Sequence, residues 1–581
     1  MKRQLLPLLM TAAMACTTNT MTDQNKPATA PAASTATPAA TATTTTTDGS
    51  ALPVAPNAAQ LLAQLPRTTV DYDRSLLNEN ERQVVAKLVE ASKLIDEIYW
   101  RQVSEENPGW LAQLQKQASH SALDRAAYDL FVANKGPWDR LDEDKPFVGT
   151  AKKPLGAGFY PTDMTKEEFE KYVAAHPDQK DELQGLFTVI RRDGVNFVAI
   201  PYSAYYADYL KPAAQKLREA AALTTNESLK RFLNTRADAF LSDNYRESDM
   251  AWMDLNGPIE VVIGPYEVYE DNLFNYKASF ESFVTVVDAP ESAKLAAYAH
   301  ALPDMEKNLP EPEQYRNPNR GSESPIRVVQ EIYTAGDARR GVQTAAFNLP
   351  NDEFVREKKG SKKVLLKNVI NAKYKQSGEP IARRVLDPSQ LGLLSFDAFF
   401  NQILFHELSH GLGPGFITKA DGTREEVRIP LKNLYSTIEE TKADVLGLWN
   451  IVYARNHGLL NAFDEKQLYA TYAGLMFRSM RFGIGEAHGR GTAIQWNWLR
   501  EKGGIAPSSN GKYAVDFAKF ADGVKTLSTE LLTIEATGDF DRANALLEKY
   551  GRVTPEIESI NKTLNDIPVD ITPVYTGAGE M

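Results

Sequence analysis

The chain has 581 residues, of which 43 % are hydrophobic and 24 % are charged, as in ordinary soluble globular proteins. That length is too great for one hydrophobic core, so we expect two or more domains or lobes. The net charge of -11 disfavours nucleic acid as a partner, because phosphates are bound by basic faces.

The first residues have a pattern typical of exported proteins. Lys2 and Arg3 precede the apolar run LLPLLMTAAMA, which ends at Cys16, the only cysteine of the sequence. This pattern predicts a signal peptide over residues 1–16 with a lipid attached to Cys16. The alternative is an ordinary cleaved signal peptide beside an incidental cysteine. The apolar run is too short for a permanent transmembrane helix. We therefore expect a lipoprotein in the periplasm or outer membrane of a Gram-negative bacterium, with membrane contact only through the lipid.

Residues 17–57 are rich in threonine, alanine and proline and contain almost no large apolar residue. Such a composition cannot bury a core, so we predict a disordered tether. Beyond it, apolar residues recur with the period of an α-helix. Thr165 and Glu168 have the spacing of a capping box at the start of a helix. Helices are predicted over residues 73–103, 166–172, 209–222 and 227–241.

After these helices the composition changes to alternating β-branched and aromatic residues, which favour strands. Strands are predicted over 258–269 and 280–287, an extended segment over 343–349, and either strand or helix over 364–374. From residue 397 the pattern is helical almost throughout. The predicted helices are 397–412, 434–456, 463–482, 486–501, 513–536 and 540–549. The fold class is therefore α+β, with a mixed lobe followed by a mostly helical lobe.

The run QILFHELSHGLGPG contains His406, Glu407 and His410 in the spacing H-E-x-x-H. Histidines four residues apart lie on one face of a helix and can bind the same ion. Glu407 is then placed as general base toward a water molecule that the metal activates. This spacing is what a zinc hydrolase needs, and the whole chain has only seven histidines. The alternative is two ordinary histidines on a helix.

A catalytic zinc site needs three protein ligands and one open position. Downstream, in TIEETKAD, Glu440 and Asp444 lie one helical turn apart. We predict that Glu440 is the third ligand of one Zn²⁺ per chain, and that Asp444 orients a ligand imidazole through a hydrogen bond. The alternative is a solvated helix face on which Glu439 and Glu440 pair with lysines.

Five segments in chain order resemble the dipeptidyl peptidase III family of zinc peptidases. They are IGPYEVYEDNLFNYKASFESFV, FNLPNDE, HELSHGLGPG, EETKADVLGLW and FGIGEAHGRGTAIQWNWL. The resemblance covers the chain from about residue 159 to its end and excludes the leader and the tether.

The resemblance implies two lobes around a wide cleft, a small barrel-like sheet in the mixed lobe, and removal of dipeptides from the free N-terminus of short peptides. The implied division is a mixed lower lobe over 58–290, a helical crossover over 291–330, a return with a substrate-binding strand over 331–390, and a helical zinc-carrying lobe over 391–581.

The resemblance also assigns residues to roles. His406, His410 and Glu440 match the ligands, and Glu407 matches the catalytic glutamate. Residues that steady the reaction intermediate correspond to Tyr269 and His488, which can both donate to a developing oxyanion. The residues that match those holding the substrate's free amino end are Glu267, Asn348, Asn351 and Glu281. Without the family pattern, Tyr269 would be interpreted as a core residue and His488 as a surface or capping residue. Asn348 and Asn351 would be interpreted as turn residues, and the two glutamates as charges on a strand face.

The sequence departs from the family pattern in three places. The family's usual motif has one more residue between the histidines, and Thr441, Lys442 and Asp444 stand where cysteine, arginine and glutamate are common. We find no counterpart of the C-terminal arginine that in longer members contacts the far end of the peptide. We expect the cleft geometry and the preferred peptide length, rather than zinc binding, to be affected.

The sequence leaves three alternatives to a dipeptide-releasing enzyme. The same centre could serve an endopeptidase or an aminopeptidase. The chain could also be a non-catalytic, peptide-binding surface lipoprotein, although Glu407 would then have no purpose. Some plant relatives join a similar domain to a nucleotide-hydrolysing one, but the acidic helix signature of that domain is not evident here. We expect a monomer whose partners are short peptides.

Overall fold

The computed structural model describes residues 51–316, 326–418 and 422–580. The expected signal peptide, Cys16 and most of the expected tether lie outside the described residues. Within the described ranges, no helix combines the length and the apolar character that crossing a bilayer requires.

Helices make up most of the described chain. They are α1 Ala58–Leu62, α2 Glu79–Val103, α3 Asn107–Gln117, α4 Ala122–Asn134, α5 Lys166–Ala175, α6 Lys180–Leu183, α7 Tyr202–Tyr205, α8 Ala207–Leu223, α9 Glu227–Ser242, α10 Arg246–Met253, α11 Ala289–Lys307, α12 Glu353–Lys359, α13 Lys367–Lys373, α14 Glu379–Val385, α15 Phe396–Ser409, α16 Arg428–Leu431, α17 Tyr435–Asn456, α18 Glu465–Leu475, α19 Phe477–Met480, α20 Ala487–Glu501, α21 Phe517–Thr537, α22 Phe540–Tyr550 and α23 Pro555–Lys562.

The strands are mostly short. They are β1 Arg67–Val70, β2 Trp138–Asp139, β3 Lys145–Pro146, β4 Thr188–Asp193, β5 Asn196–Pro201, β6 Ile259–Glu267, β7 Ser279–Val287, β8 Ile326–Gly336, β9 Ala346–Leu349, β10 Lys362–Leu366, β11 Phe416–Thr418, β12 Arg424–Glu426, β13 Ile505–Pro507, β14 Tyr513–Val515 and β15 Thr572–Tyr575.

The main sheet has five strands in the order β6-β7-β8-β10-β9. Its strands pair antiparallel except β8 and β10, which are parallel. The strands β6 and β7 are buried almost along their whole length, which explains their β-branched and aromatic composition. Gly336 ends β8 with φ 69°, and a Cβ there would lie 2.2 Å from the carbonyl oxygen of Phe280. Only glycine therefore fits at the place where the chain turns away beside β7.

Two large hydrophobic cores flank this sheet. The first core surrounds β6, β7 and β8 and includes apolar residues of α2, α8 and α9. A second core is formed mainly by helices from α11 to α23. Strand β10 lies between them, because Val364 and Leu366 belong to the first core and Leu365 to the second. The α+β fold class is confirmed, and two cores are consistent with a two-lobe layout.

Helix α15 carries the histidine motif through the middle of the second core. Ser395 caps its N-terminus by accepting a hydrogen bond from the backbone N–H of Ala398. Eleven of its 14 residues are buried, so the apolar run around the motif reflects a central helix rather than an amphipathic surface helix.

Several local predictions need correction. The segment predicted as strand or helix over 364–374 is both: β10 ends at Leu366 and α13 begins at Lys367. The strand predicted to reach Tyr269 ends at Glu267. Thr165 does cap α5, but the Glu168 side chain binds Arg192 instead of closing a capping box.

Two predicted segment boundaries also differ from the structure. Residues 51–57, assigned to the tether, lie on the folded protein, where Val54 forms an antiparallel bridge with Val148. The last strand, β15, was assigned to the helical lobe. It instead pairs in parallel with β1, and its Tyr575 lies in the first core. The chain therefore returns to the mixed part of the molecule at its end.

Candidate metal centre

Helix α15 brings the two histidines of the motif to one point. The Nε2 atoms of His406 and His410 lie 3.1 Å apart, and the ring centroids are 4.7 Å apart. Two imidazole nitrogens that face each other at this distance attract each other only when a proton or a cation lies between them. This arrangement is what one helical turn of spacing predicts.

Helix α17 adds a carboxylate to this pair. Glu440 Oε2 lies 3.3 Å from His406 Nε2 and 3.7 Å from His410 Nε2. That oxygen is buried and has no hydrogen-bond partner among the described residues. The ligand atoms of the three residues all lie within 4.8 Å of one another. Helices α15 and α17 approach closely at Gly447 of α17. A Cβ at that position would lie only 3.1 Å from the backbone nitrogen of His406 on α15.

Each histidine is oriented by a different carboxylate on α17. His406 Nδ1 lies 2.8 Å from Asp444 Oδ1, and His410 Nδ1 lies 2.8 Å from Glu439 Oε1. Both contacts require the proton on Nδ1, so both Nε2 lone pairs face Glu440. The sequence predicted Asp444 in this role but assigned Glu439 only to a possible surface pair. Glu439 is the missed residue of this centre.

The two orienting carboxylates are held by buried partners. Asp444 accepts hydrogen bonds from Gln402 at 3.3 Å and from Gln495 at 2.9 Å. Glu439 lies 3.0 Å from the ammonium group of Lys442, which is 2 % exposed. Burial by itself would raise the pKa of Glu439, but Lys442 and His410 outweigh it and hold the pKa well below its usual value.

The carboxylate of Glu407 lies at the boundary between α15 and the sheet. Its Oε2 accepts a hydrogen bond from Lys363 Nζ at 3.3 Å, and the residue is buried. Lys363 lies on β10 directly opposite Asn348 of β9. This lysine links the predicted general base to the strand predicted to bind substrate. The sequence offered no signal for Lys363, because such a contact depends on two segments 44 residues apart.

The residues predicted to bind the peptide's amino end lie at one region of the sheet. Asn351 Nδ2 lies 3.2 Å from the carbonyl oxygen of Tyr266 and 3.5 Å from Glu267 Oε1. Asn348 Oδ1 is buried without a hydrogen-bond partner among the described residues. Burial and, to a smaller extent, the charge of Asp337 together raise the pKa of Glu267 to about 7. Burial, Glu267 and Asp337 also raise the pKa of Glu281 well above its usual value.

The two residues predicted to steady the intermediate differ in position. His488, in the first turn of α20, has its Nδ1 3.4 Å from Glu440 Oε2, so the structure brings it to the metal centre. Tyr269 lies just beyond the end of β6 with 41 % of its surface exposed. Burial, followed by the charges of Glu267 and Asp337, raises the pKa of Tyr269. Within the described residues, Tyr269 makes no hydrogen bond to the metal centre.

Comparisons with known proteins give a matching family and similar structures. The model of Peptidase family M49 matches residues 159–443. The structure is similar to that of DPP III from Caldithrix abyssi, with 50 % identity and a TM-score of 0.82, covering 89 % of this chain and 98 % of that one. Dipeptidyl-peptidase III from Corallococcus sp. strain EGB is similar with 43 % identity and a TM-score of 0.70, covering 91 % and 98 %. Nudix hydrolase 3 of Arabidopsis thaliana is 37 % identical over 559 residues, covering 87 % of this chain and 72 % of that protein.

Proposed function

The chain belongs to peptidase family M49, the dipeptidyl peptidase III family, and we propose that it is a zinc-dependent exopeptidase that releases dipeptides from the free N-terminus of short peptides. The observation that carries the proposal is the buried Oε2 of Glu440, which faces the Nε2 atoms of His406 and His410 and has no hydrogen-bond partner in the described part of the chain.

The donor set fits zinc. Two neutral imidazoles and one carboxylate are a ligand set that catalytic zinc sites use, and they leave a coordination position open. The two Nδ1 contacts to Asp444 and Glu439 fix the tautomers that this requires. Zinc bound there would lower the pKa of a coordinated water molecule and polarise the scissile carbonyl.

The protein's own residues would carry the proton and position the peptide. Glu407, whose carboxylate contacts Lys363, would take a proton from the attacking water and return it to the leaving amine. His488 would donate a hydrogen bond to the oxygen that becomes negative, because it lies beside Glu440. Tyr269, which is half-exposed on the sheet side, would donate to the same oxygen when the peptide bridges sheet and helix.

The amino end of the peptide would be recognised on the sheet. Glu267 and Glu281 would receive the ammonium group, and this would relieve their mutual repulsion in a buried place. Asn348 and Asn351 would align the first peptide units, because the Oδ1 of Asn348 has no hydrogen-bond partner within the described ranges and Asn351 already lies beside Glu267. A fixed distance between this group and the metal would set the cut after two residues.

We further propose the location and state of the mature protein. The signal pattern of residues 1–16 supports export as a lipoprotein anchored through Cys16 in the periplasm or outer membrane. Labelling with fatty acid that is lost in Cys16→Ser would test the anchor. We propose that the enzyme acts as a monomer on short peptides and binds no nucleic acid, in keeping with its acidic charge.

The test of the reaction compares a free peptide with its N-acetylated form. The proposal predicts that only the free form yields dipeptides, that a chelator abolishes this, and that zinc restores it. Equal cleavage of the acetylated peptide would indicate an endopeptidase instead, and single amino acids as products would indicate an aminopeptidase. Binding without turnover after zinc loading would indicate a peptide-binding lipoprotein.

A further inference from the structure

The glutamine that holds Asp444 lies on α20, and both ends of its amide group have partners. Gln495 is fully buried, and its Nε2 donates to Asp444 Oδ2 at 2.9 Å. Its Oε1 accepts a hydrogen bond from the hydroxyl of Tyr472 on α18. An ionised carboxylate can only accept, so the Nε2 end must face Asp444 and the Oε1 end must face Tyr472. The pair therefore presents one fixed donor to the carboxylate that orients His406.

The side chain of Asp444 has room to turn away from His406. A cavity of about 50 Å³ lies beside the carboxylate, and Arg478 lines the same cavity. Burial lowers the pKa of Arg478 and the charge of Asp444 counters this effect, so the two charges attract each other. Gln402 also donates to Asp444, but its contact at 3.3 Å is longer than the 2.9 Å contact from Gln495. Of the two amides, Gln495 therefore contributes more to keeping the carboxylate on His406.

Helix α20 presents Gln495 and His488 on the same face. Residues 488, 491 and 495 have the i, i+3, i+7 spacing that places side chains on one side of a helix. On that side α20 packs against α17, where His488 Nδ1 lies 3.4 Å from Glu440 Oε2. Gly491 allows the two helices to approach, because a Cβ there would lie 2.7 Å from Thr441 Oγ1. The contacts of His488 and Gln495 therefore belong to one interface between the two helices.

This interface joins two parts of the metal centre. On α17, Glu440 and Asp444 are one turn apart, so the first faces His488 and the second faces Gln495. A rotation or shift of α20 along α17 would change both contacts together. Two polar contacts thus fix the position of α20 on α17, one at a metal ligand and the other at the carboxylate that orients a ligand.

We propose that Gln495 is a positioning residue for the metal centre. Locked by Tyr472, it keeps Asp444 on His406. It also keeps α20 in the position that brings His488 to the ligands. The inference rests on the proposed zinc peptidase function and adds a residue that acts on the metal through another side chain.

The experiment measures zinc affinity and turnover separately in the purified full chain. The zinc dissociation constant is determined by competition with a chromophoric chelator, and kcat and KM for dipeptide release are measured at saturating zinc. Gln495→Met keeps the length of the side chain and removes the donor. We expect it to weaken zinc binding and to lower kcat by about tenfold each, the lower end of the range for residues that support a ligand. KM should change little, because the amino end of the peptide is bound on the sheet.

A double-mutant cycle shows whether Gln495 acts through Asp444. In an Asp444→Ala background the amide has lost the carboxylate that it holds. Gln495→Met should then change the zinc dissociation constant by less than about twofold, because interacting residues are not additive. A general loosening of the protein would instead give the same factor in both backgrounds. Tyr472→Phe should act in the same direction as Gln495→Met and more weakly, because the donor remains but its orientation is no longer fixed.

Asn497→Met is the matched control on the same helix. Asn497 lies two residues after Gln495 and therefore on the opposite side of α20. Its Nδ2 donates to the carbonyl oxygens of Tyr550 and Arg552. The variant should lower the melting temperature without changing the zinc dissociation constant. Thermal unfolding of each metal-free variant shows how far stability alone has changed.

The outcomes distinguish this inference from the proposed function. A Gln495→Met variant with the zinc affinity and kcat of the wild type would overturn the inference and leave the function standing. Equal weakening of zinc binding in the wild-type and Asp444→Ala backgrounds would also overturn it. If Gln495→Met does not fold, unchanged zinc affinity and kcat in Tyr472→Phe would overturn it.

Failure of the function has a different signature. If the zinc affinities follow the predicted cycle but no peptide yields a dipeptide, the proposed function is wrong and the role of Gln495 at the metal stands. A wild-type chain that binds no zinc would overturn both.

Discussion

Replacing the two carboxylates that orient the histidines should separate metal affinity from fold stability. In Asp444→Asn the side chain keeps its shape, and its amide oxygen can still accept from His406 Nδ1, but the contact at 2.8 Å loses its charge. Losing such an orienting contact weakens zinc binding by about 10- to 100-fold, or about 1.4–2.8 kcal/mol. In the metal-free protein the new amide NH2 faces the Gln495 Nε2 donor, so we expect a loss of about 1 kcal/mol of unfolding free energy, smaller than that of Glu439→Gln.

Glu439→Gln should have the same effect on zinc and a further effect on stability. Glu439 is the near counter-ion of the buried Lys442, whose next carboxylate, Glu535, is 3.7 Å away. Removing one partner of a buried ion pair leaves an uncompensated charge, and Glu535 compensates only in part. We therefore expect the metal-free variant to lose about 3 kcal/mol of unfolding free energy.

The assay measures the zinc dissociation constant by competition with a chromophoric chelator, and the unfolding free energy by urea denaturation after chelator treatment. The reasoning is refuted if Asp444→Asn binds zinc as tightly as the wild type. It is also refuted if metal-free Glu439→Gln is as stable as metal-free Asp444→Asn.

Three further predictions concern the residues around the reacting peptide bond. Glu407→Gln should keep one zinc per chain and lose about 10²- to 10⁴-fold in kcat, as expected for a general base; an active variant would show that another group moves the proton. Lys363→Met should lower kcat more than it changes KM and leave zinc content unchanged, because Lys363 orients Glu407; loss of zinc would show a structural role instead. Glu267→Gln should weaken binding of free peptides while raising the melting temperature at pH 8 and not at pH 4. In the folded protein, burial and Asp337 hold the pKa of Glu267 at about 7, above its unfolded value. As the pH rises from about 4.5 to 7, the unfolded chain loses this proton before the folded chain does, so the wild-type residue lowers the stability of the fold. Fluorescence-monitored melting at pH 4 and pH 8 checks the sign.

The sequence predicted the centre of the site because its parts are local. His406, Glu407 and His410 are set by one helical turn, and Glu440 and Asp444 by another, so helical geometry alone gives their relative directions. It could not assign Glu439, because adjacent residues on a helix point about 100° apart and only the packing of α17 on α15 decides which one meets His410.

The contacts that were missed depend on packing over long sequence distances. Lys363 reaches Glu407 because β10 lies between the two cores. The pairing of β15 with β1 joins residues about 500 positions apart, and a short strand after a helical region carries little periodic signal. The same limit explains 364–374, where a strand and a helix share one apolar run.

The most direct test of the central claim is the zinc content of the purified full chain, measured by inductively coupled plasma mass spectrometry together with dipeptide release, for the wild type and Glu440→Ala. The account predicts one zinc per wild-type chain, and a variant that has lost both the metal and the activity at the same zinc concentration. A wild-type chain without stoichiometric zinc, or a Glu440→Ala variant with undiminished activity, would contradict it.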